Sequence, residues 1–218
     1  MPRKEVTGVF TLHNVQYVVL GDAYEPSDDS YMLANYIEKA LPKRLGGRGC
    51  RLAIDVGCGS GILTIELCSV CREVIALDLS PDAVASTIAN LKKSDAPCLY
   101  AVVQGDGLSP LIYVKADLVV FNPPYLPVRD EGWAGIAWSG GEGGVEVFLE
   151  VASCVPRILR RGGVFVFVLS SLGDVDKAVR RLTRMGFVVR VVDRKKFFFE
   201  ELLLLEAVYD AKGGAGRA

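Results

Sequence analysis

Between residues 50 and 121 the chain repeats one pattern, a short apolar run closed by Asp, Gly or Asn and then a segment with helical spacing, and no other feature restricts its fold as strongly. Strand "RLAIDVG" leads into helix "GILTIELCSVC", and strand "EVIALDL" into helix "PDAVASTIANLKK". Strands "CLYAVVQ" and "ADLVVF" follow. Strands joined by crossover helices run parallel and are covered on both faces, so the spacing predicts a doubly wound α/β sheet. A hairpin, "VFTLHNVQYVVLG", and a helix, "SDDSYMLANYIEKAL", precede this core. Helix "VEVFLEVASCVPRIL", strand "GVFVFVLS" and helix "DVDKAVRRLTRM" extend it. The last two strands, "FVVRVVDRKK" and "EELLLLEAVYD", are separated only by "FFF", too short for a crossover, and so form an antiparallel C-terminal hairpin.

A chain of 218 residues is long enough for one domain with a sizeable core, and it contains no composition break, repeat or linker. A single domain over residues 1–210 is expected, with residues 1–23 as a hairpin extension and residues 211–218, "AKGGAGRA", as a flexible tail. Charge or glycine interrupts each apolar run before the roughly 18 residues of a membrane span, and "MPRKEVTGVF" lacks a signal-peptide apolar region. A cytoplasmic protein without a membrane partner is the expectation. The six cysteines are too scattered for a small disulfide framework and are expected chiefly as buried small apolar side chains. Cys68 and Cys71 form a C-x-x-C with no second pair or His cluster, which reads as helix packing and not a metal site. A disulfide stays open should the source be hyperthermophilic.

Net charge of −1 and a pI near 5.9 offer a polyanion no general attraction, which argues against nucleic acid as a partner. The late basic residues Arg180, Arg181, Arg184, Arg190, Arg194, Lys195 and Lys196 read as solvated faces.

In doubly wound sheets ligands bind beyond the carboxyl ends of the strands. At the first such end, "DVGCGSGI", Gly57, Gly59 and Gly61 let the backbone turn sharply at a helix N-terminus, with Asp55 just ahead of them. At the second, "ALDLS", Asp78 lies about 20 residues past the glycines, the distance at which a carboxylate accepts from vicinal ribose hydroxyls. The pair indicates a nucleoside cofactor. A nicotinamide fingerprint needs a further glycine where Ile62 stands, whereas an acid ahead of G-x-G-x-G suits the cationic amino-acid end of S-adenosylmethionine. At the third end, "VVQGDGL", Asp106 and the Gly107 backbone are placed to meet an adenine edge. A capping aspartate in a turn explains Asp106 equally well.

The fourth end, "VVFNPPY", places an amide, two rigid rings and an aromatic in sequence. The carbonyls of Asn122 and Pro123 can accept both N–H donors of a planar NH2 group, Tyr125 can cover its face, and the prolines hold the acceptors in place. As simple punctuation the same residues would close a strand in a turn. Alternative uses are N6-methylation of adenine in DNA or RNA, which requires base capture and a basic groove, and lysine methylation, where an amine gains little from two acceptors. A cofactor-binding scaffold without turnover would have no use for the clamp.

In order and spacing, "DVGCGSGI", "ALDLSPDAV", "QGDGL" and "FNPPY" resemble the class I S-adenosylmethionine-dependent methyltransferases that modify nitrogen. "YEPSDDSYMLANYI" and "AWSGGEGGVEVF" narrow this to the archaeal and eukaryotic branch of the HemK-like release-factor glutamine methyltransferases. The resemblance covers roughly residues 24–210. It implies a Rossmann-like, mostly parallel seven-stranded sheet. It also implies methyl transfer to the glutamine of the Gly-Gly-Gln motif in a peptide-chain release factor, and a small zinc-binding activator protein as heterodimer partner. Carried over residue by residue, Asp55, Gly57, Gly59, Asp78, Asp106 and Gly107 bind the cofactor with Ser30 near its methionine end, while Asn122, Pro123 and Tyr125 hold the glutamine amide, Asn122 touching the cofactor as well, and no metal takes part. Asp28, Asp29 and Ser30 are also sufficient as a helix cap. Trp133 and Trp138 stand in a glycine-rich stretch where an aromatic can dock a peptide or anchor a loop. "CLYAVVQ" should lie at a sheet edge, where a partner strand, the hairpin or a second copy could cover it.

Overall fold

In the computed structural model, which describes residues 4–46, 49–127 and 139–210, the chain groups into two compact units, Met1–Pro110 and Leu111–Ala218. The first opens with the expected hairpin of β1 (Val6–Leu12) and β2 (Val15–Leu20). His13 and Asn14 form its two-residue turn with φ of 48° and 63°, the left-handed pair that matches the twist of antiparallel strands. Helices α1 (Asp28–Lys39) and α2 (Leu41–Arg44) follow, the second too short to register as a periodic pattern. The cap of α1 is Ser27, which makes no side-chain capping bond. Asp28 and Asp29 lie within the first turn, where acids suit the helix dipole, and not at the cap.

Next come β3 (Cys50–Val56), α3 (Ile62–Val70), β4 (Cys71–Asp78), α4 (Pro81–Ser94) and β5 (Leu99–Gln104), with β3, β4 and β5 parallel. Every residue of α3 from Ile62 to Cys68 is buried, so its sequence has no polar face. Ser80 caps α4 by accepting from the backbone N–H groups of Asp82 and Ala83, and Pro81 occupies the first turn, where its missing N–H costs nothing.

The second unit contains β6 (Ala116–Phe121), α5 (Glu146–Ile158), β7 (Leu159–Ser170), α6 (Val175–Arg184), β8 (Phe187–Lys196) and β9 (Glu201–Tyr209). Strand β7 is buried from Val164 to Ser170 on both faces, which accounts for its unbroken apolar run. Phe148 of α5 packs on Phe165 and Phe167, with ring centroids 5.8 and 4.6 Å away. Strand β7 pairs parallel with β6 and antiparallel with β9, and β9 pairs antiparallel with β8. Seven strands form one sheet in the order β5-β4-β3-β6-β7-β9-β8. The sheet is mostly parallel and its C-terminal hairpin antiparallel, as the spacing predicts, and "CLYAVVQ" is an edge, as the resemblance implies. Among the described residues no helix is long and apolar enough to cross a membrane.

The cysteines correct the sequence reading. Cys50 is bonded to Cys71 and Cys68 to Cys98; Cys58 stays a buried thiol and Cys154 is half-buried. Cys71 is the first residue of β4, not the end of a helix, and parallel register sets it opposite Cys50. Sequence separations of 21 and 30 conceal pairings that the crossovers create, the first across β3–α3–β4 and the second from α3 to the residue before β5. Closing loops of that size removes unfolded-state entropy equivalent to about 3 kcal/mol per bridge. The paired substitution Cys68→Ser with Cys98→Ser is therefore expected to lower the thermal midpoint by about 10 °C, and reduction of both bridges by about 20 °C. Superimposable melting curves with and without reductant would refute the bridges' contribution.

Candidate active site

Three strand ends converge at one edge of the first unit. Beyond β3 the chain turns through Gly57, Gly59 and Gly61 before entering α3, and φ at Gly59 and Gly61 is 53° and 87°. A side chain at Gly61 would also meet Thr87, whose Cα is 3.0 Å from the position of a Cβ, so both conformation and space demand glycine there. Asp78, the last residue of β4, fixes this loop: one carboxylate oxygen accepts from Gly59 N at 2.9 Å and the other from Ser80 N at 2.8 Å. Each oxygen keeps a second lone pair, so the same carboxylate can still accept from a ligand hydroxyl. Beyond β5, Gly105 N donates to the Asp78 carbonyl at 2.9 Å and holds the following turn beside it. In that turn Gly107 has φ of 50° and the Asp106 carbonyl accepts from Ser109, while the Asp106 side chain is exposed.

Asp55 is completely buried in β3. Its Oδ2 accepts from the Thr64 hydroxyl at 2.5 Å, and its Oδ1 has no hydrogen-bond partner. Burial pushes the carboxyl up to about 7 against the lowering effect of the Thr64 bond, and the Asp78 charge adds to the rise. A buried carboxylate with an unused oxygen beside a glycine turn suits a cationic group, which would compensate its charge. The donor set thus fits the amino-acid end of S-adenosylmethionine.

Ser30 lies in the first turn of α1. It is buried, but its N–H and hydroxyl are both directed to Asp29 Oδ1, at 2.5 and 3.0 Å. The Tyr24 hydroxyl also donates to that carboxylate, and Tyr24 is the residue that borders Gly59. Burial and the Asp29 charge raise the Tyr24 phenol above its ordinary range.

Sequence reasoning missed the residues that support the loop from α4. Thr87 donates to the Gly59 carbonyl at 3.0 Å. Asn90, completely buried, donates to the carbonyls of Ser60 and Val18 at 2.8 and 2.7 Å and accepts from Val18 N at 3.0 Å. Its carboxamide therefore acts toward β2 as a neighbouring strand would, while also gripping the glycine turn. Ser86 accepts from Leu20 N at 3.0 Å, and Asp82 accepts from Asp22 N and pairs with Lys4. The available signal was the polar stripe 82, 86, 87 and 90 at helical spacing on the helix face that is buried.

In the second unit Asn122 follows β6 directly and Pro123 is buried. Residues 139–144 press against this segment. Gly140 N donates to the Leu126 carbonyl at 2.9 Å, and a Cβ on Gly140 would come within 2.9 Å of the Pro124 carbonyl. A Cβ on Gly144 would come within 2.7 Å of the Tyr125 carbonyl. These two glycines let one backbone lie closely on another at the Pro124 and Tyr125 carbonyls. Trp133 and Trp138 lie outside the described residues.

In the first unit a glycine turn opening a helix and a carboxylate closing the next strand fit a nucleoside cofactor, the arrangement of a cofactor-dependent transferase. The pattern of the methyltransferase small domain matches residues 32–199, and the chain belongs to that family. Methyltransferase HEMK2 of Homo sapiens is 34% identical over 175 residues, 76% of this chain and 79% of that protein. A Methanocaldococcus jannaschii protein, assigned by inference as a protein N5-glutamine methyltransferase, is 26% identical over 204 residues, 91% of this chain and 98% of its own length. Among solved structures, that of the E. cuniculi Mtq2-Trm112 complex, described as responsible for methylating the eRF1 translation termination factor, superimposes with a TM-score of 0.68 at 23% identity. The match covers 87% of this chain and 100% of that one and supports the same fold.

Two outcomes follow from this geometry. The free protein's Asp55 carboxyl titrates near 7, so cofactor affinity is expected to fall as pH drops below 7, with uptake of the cation releasing about one proton near pH 6. Calorimetry in buffers of different ionisation enthalpy reads that proton, and Asp55→Asn should abolish it. By the same linkage the free protein gains stability from this group below pH 3.8 and loses it as pH rises toward 7. Secondly, Asn90→Ala should destabilise the chain by about 3 kcal/mol and weaken cofactor binding more than Ser86→Ala, since only Asn90 reaches the glycine turn. Equal binding losses would contradict that assignment.

Proposed function

We propose that the chain transfers a methyl group from S-adenosylmethionine to the side-chain amide nitrogen of a glutamine, that of the Gly-Gly-Gln motif in a peptide-chain release factor. The observation that carries this reading is the Asn122-Pro123-Pro124-Tyr125 segment at the carboxyl end of β6, with the backbone of Gly140 and Gly144 packed closely against the Pro124 and Tyr125 carbonyls. The names of the relatives, a protein N5-glutamine methyltransferase and an eRF1-methylating complex, point to the same acceptor.

In this reading the two units serve one catalytic domain. Asp55 holds the cationic amino-acid end of the cofactor, the backbone of Gly57 and Gly59 lets it approach, Asp78 takes the ribose hydroxyls, and Asp106 with Gly107 meets the adenine. When bound, the cofactor supplies a methyl group on a positively charged sulfur that is its own leaving group. The chain's part is orientation and charge. An amide nitrogen is a poor nucleophile because its lone pair is delocalised into the carbonyl. Asn122 Oδ1 and the Pro123 carbonyl, each accepting one N–H, draw positive character onto that nitrogen's hydrogens and hold its plane. Tyr125 covers one face, so the other is left for displacement. As the N–C bond forms, the nitrogen gains charge that the two acceptors stabilise, and one of its protons then departs to water.

The partner reading rests on β5. It is an edge strand with Leu99 74% and Tyr100 39% exposed, a surface that strand addition by a second protein would cover. We assign it to a small zinc-binding activator, by analogy with the Trm112 subunit of the superimposed complex, and place the reaction in the cytoplasm.

The test is methyl transfer from labelled S-adenosylmethionine to a purified archaeal-type release factor, with the activator present. Incorporation should vanish when the Gly-Gly-Gln glutamine is replaced. Asn122→Ala should lower kcat at least about a hundredfold while cofactor affinity holds. Transfer to adenine-containing nucleic acid and none to the protein would overturn the assignment.

A further inference from the structure

The turn between β8 and β9 carries Phe197, Phe198 and Phe199, which are 40%, 91% and 84% exposed. Burying one phenylalanine is worth about 1.5–3 kcal/mol, so adjacent rings facing water on an ordered turn represent unused binding capacity. The turn is held in place. Phe197 N donates to the Glu200 carbonyl at 2.8 Å, the Ser170 hydroxyl donates to the Glu200 carboxylate at 2.8 Å, and Ser171 exchanges bonds of 2.9 Å with Glu201 through both N–H groups. Phe198 and Phe199 meet edge to face with centroids 4.5 Å apart.

Register within the second unit shows where the turn projects. Phe121, the last residue of β6, is level with Phe167, Phe167 with Leu205, and Leu205 with Val191. From that level β9 continues toward the turn to Glu201, four residues (205 − 201), or about 13 Å at 3.3 Å per residue. Two strands, β7 and β9, separate β6 from β8, so the hairpin rises roughly 14 Å to the side of Asn122. It stands at the acceptor end of the sheet and reaches past it.

Its chemistry is that of a protein contact. The guanidinium of Arg190 is paired with the buried Glu206 at 3.0 Å and that of Arg194 with Glu201 at 3.1 Å, so the arginines best suited to phosphate already have carboxylate partners. The Lys195 ammonium lies 5.6 Å from the centre of the Phe197 ring. What the tip offers is aromatic surface edged by cationic charge.

We propose that the Phe197–Phe199 turn is a docking arm for the protein that bears the acceptor glutamine, seated on an apolar patch with acidic surroundings about 15–20 Å from that glutamine. The proposal rests on the protein-glutamine reading and extends it: the clamp recognises the amide, and the arm recognises the folded protein around it.

The experiment compares the wild type with the double variants Phe198→Ser/Phe199→Ser and Phe198→Leu/Phe199→Leu, with intact release factor and with a short Gly-Gly-Gln peptide as acceptors. The serine variant should lose at least about tenfold in kcat/KM on the intact protein and nothing on the peptide, and the leucine variant should recover most of the loss. Unchanged kinetics on the protein, or equal losses on both acceptors, would overturn the proposal. So would a serine variant that loses affinity for single-stranded RNA while its protein kinetics stay the same. Should the wild type methylate neither acceptor, the proposed function falls, and calorimetric binding of release factor decides the arm separately. A tenfold weaker complex with the serine variant supports docking; equal affinity, or no complex with the wild type, refutes it.

Discussion

The bond from Gly59 N to the Asp78 carboxylate closes the glycine turn onto the neighbouring strand, and most of the first unit is arranged to keep that turn in place. Backbone that bends through left-handed glycines has little stiffness of its own, because glycine loses more conformational freedom on folding than any other residue. The stiffness comes from outside the loop. Asp78 takes one N–H, Thr87 and Asn90 take two carbonyls, and Thr64 anchors the acid that precedes the turn. Each of these partners is polar, and Thr64, Thr87 and Asn90 are completely buried. Fully bonded, such groups define one geometry in a way that apolar packing cannot.

Asn90 also explains why the N-terminal hairpin stays where it is. An isolated two-stranded hairpin is marginal in water. Strand β2 meets α4 side chains instead of a third strand, through Val18 to Asn90 and Leu20 to Ser86, with His13 at the turn bonded to the buried Glu66 of α3 at 2.7 Å. The hairpin and the glycine turn therefore share a support. In the second unit two glycines do comparable work without any side chain, letting residues 139–144 lie on the carbonyls of Pro124 and Tyr125.

Much of this was legible beforehand, for identifiable reasons. Alternating strand and helix patterns imply a parallel sheet whatever the tertiary details, and a link of four residues cannot cross over, so β8 and β9 had to be antiparallel. Asp55, the glycines, Asp78 and Asn122 stand out as candidates because each sits at a strand end, where chain order alone fixes its place. Ser30 was harder, since a polar residue in a first turn can bond inward or outward, and here its hydroxyl goes to Asp29. The cysteine pairs were not legible, because strand register joins Cys50 to Cys71 and the packing of the end of α3 joins Cys68 to Cys98, residues that spacing leaves apart.

What the sequence determined by itself is therefore the set of elements, the sheet's parallel character and the chemical kind of each strand end, all of which depend on local periodicity and on residues next to one another in the chain. Tertiary structure alone decided the insertion of β9 between β7 and β8, the two disulfides, the grip of Asn90 on strand and loop together, and the reach of the phenylalanine turn beyond the acceptor end. Each of these joins residues far apart in the chain through hydrogen bonds or contacts of a few ångströms, and no window of sequence contains both partners.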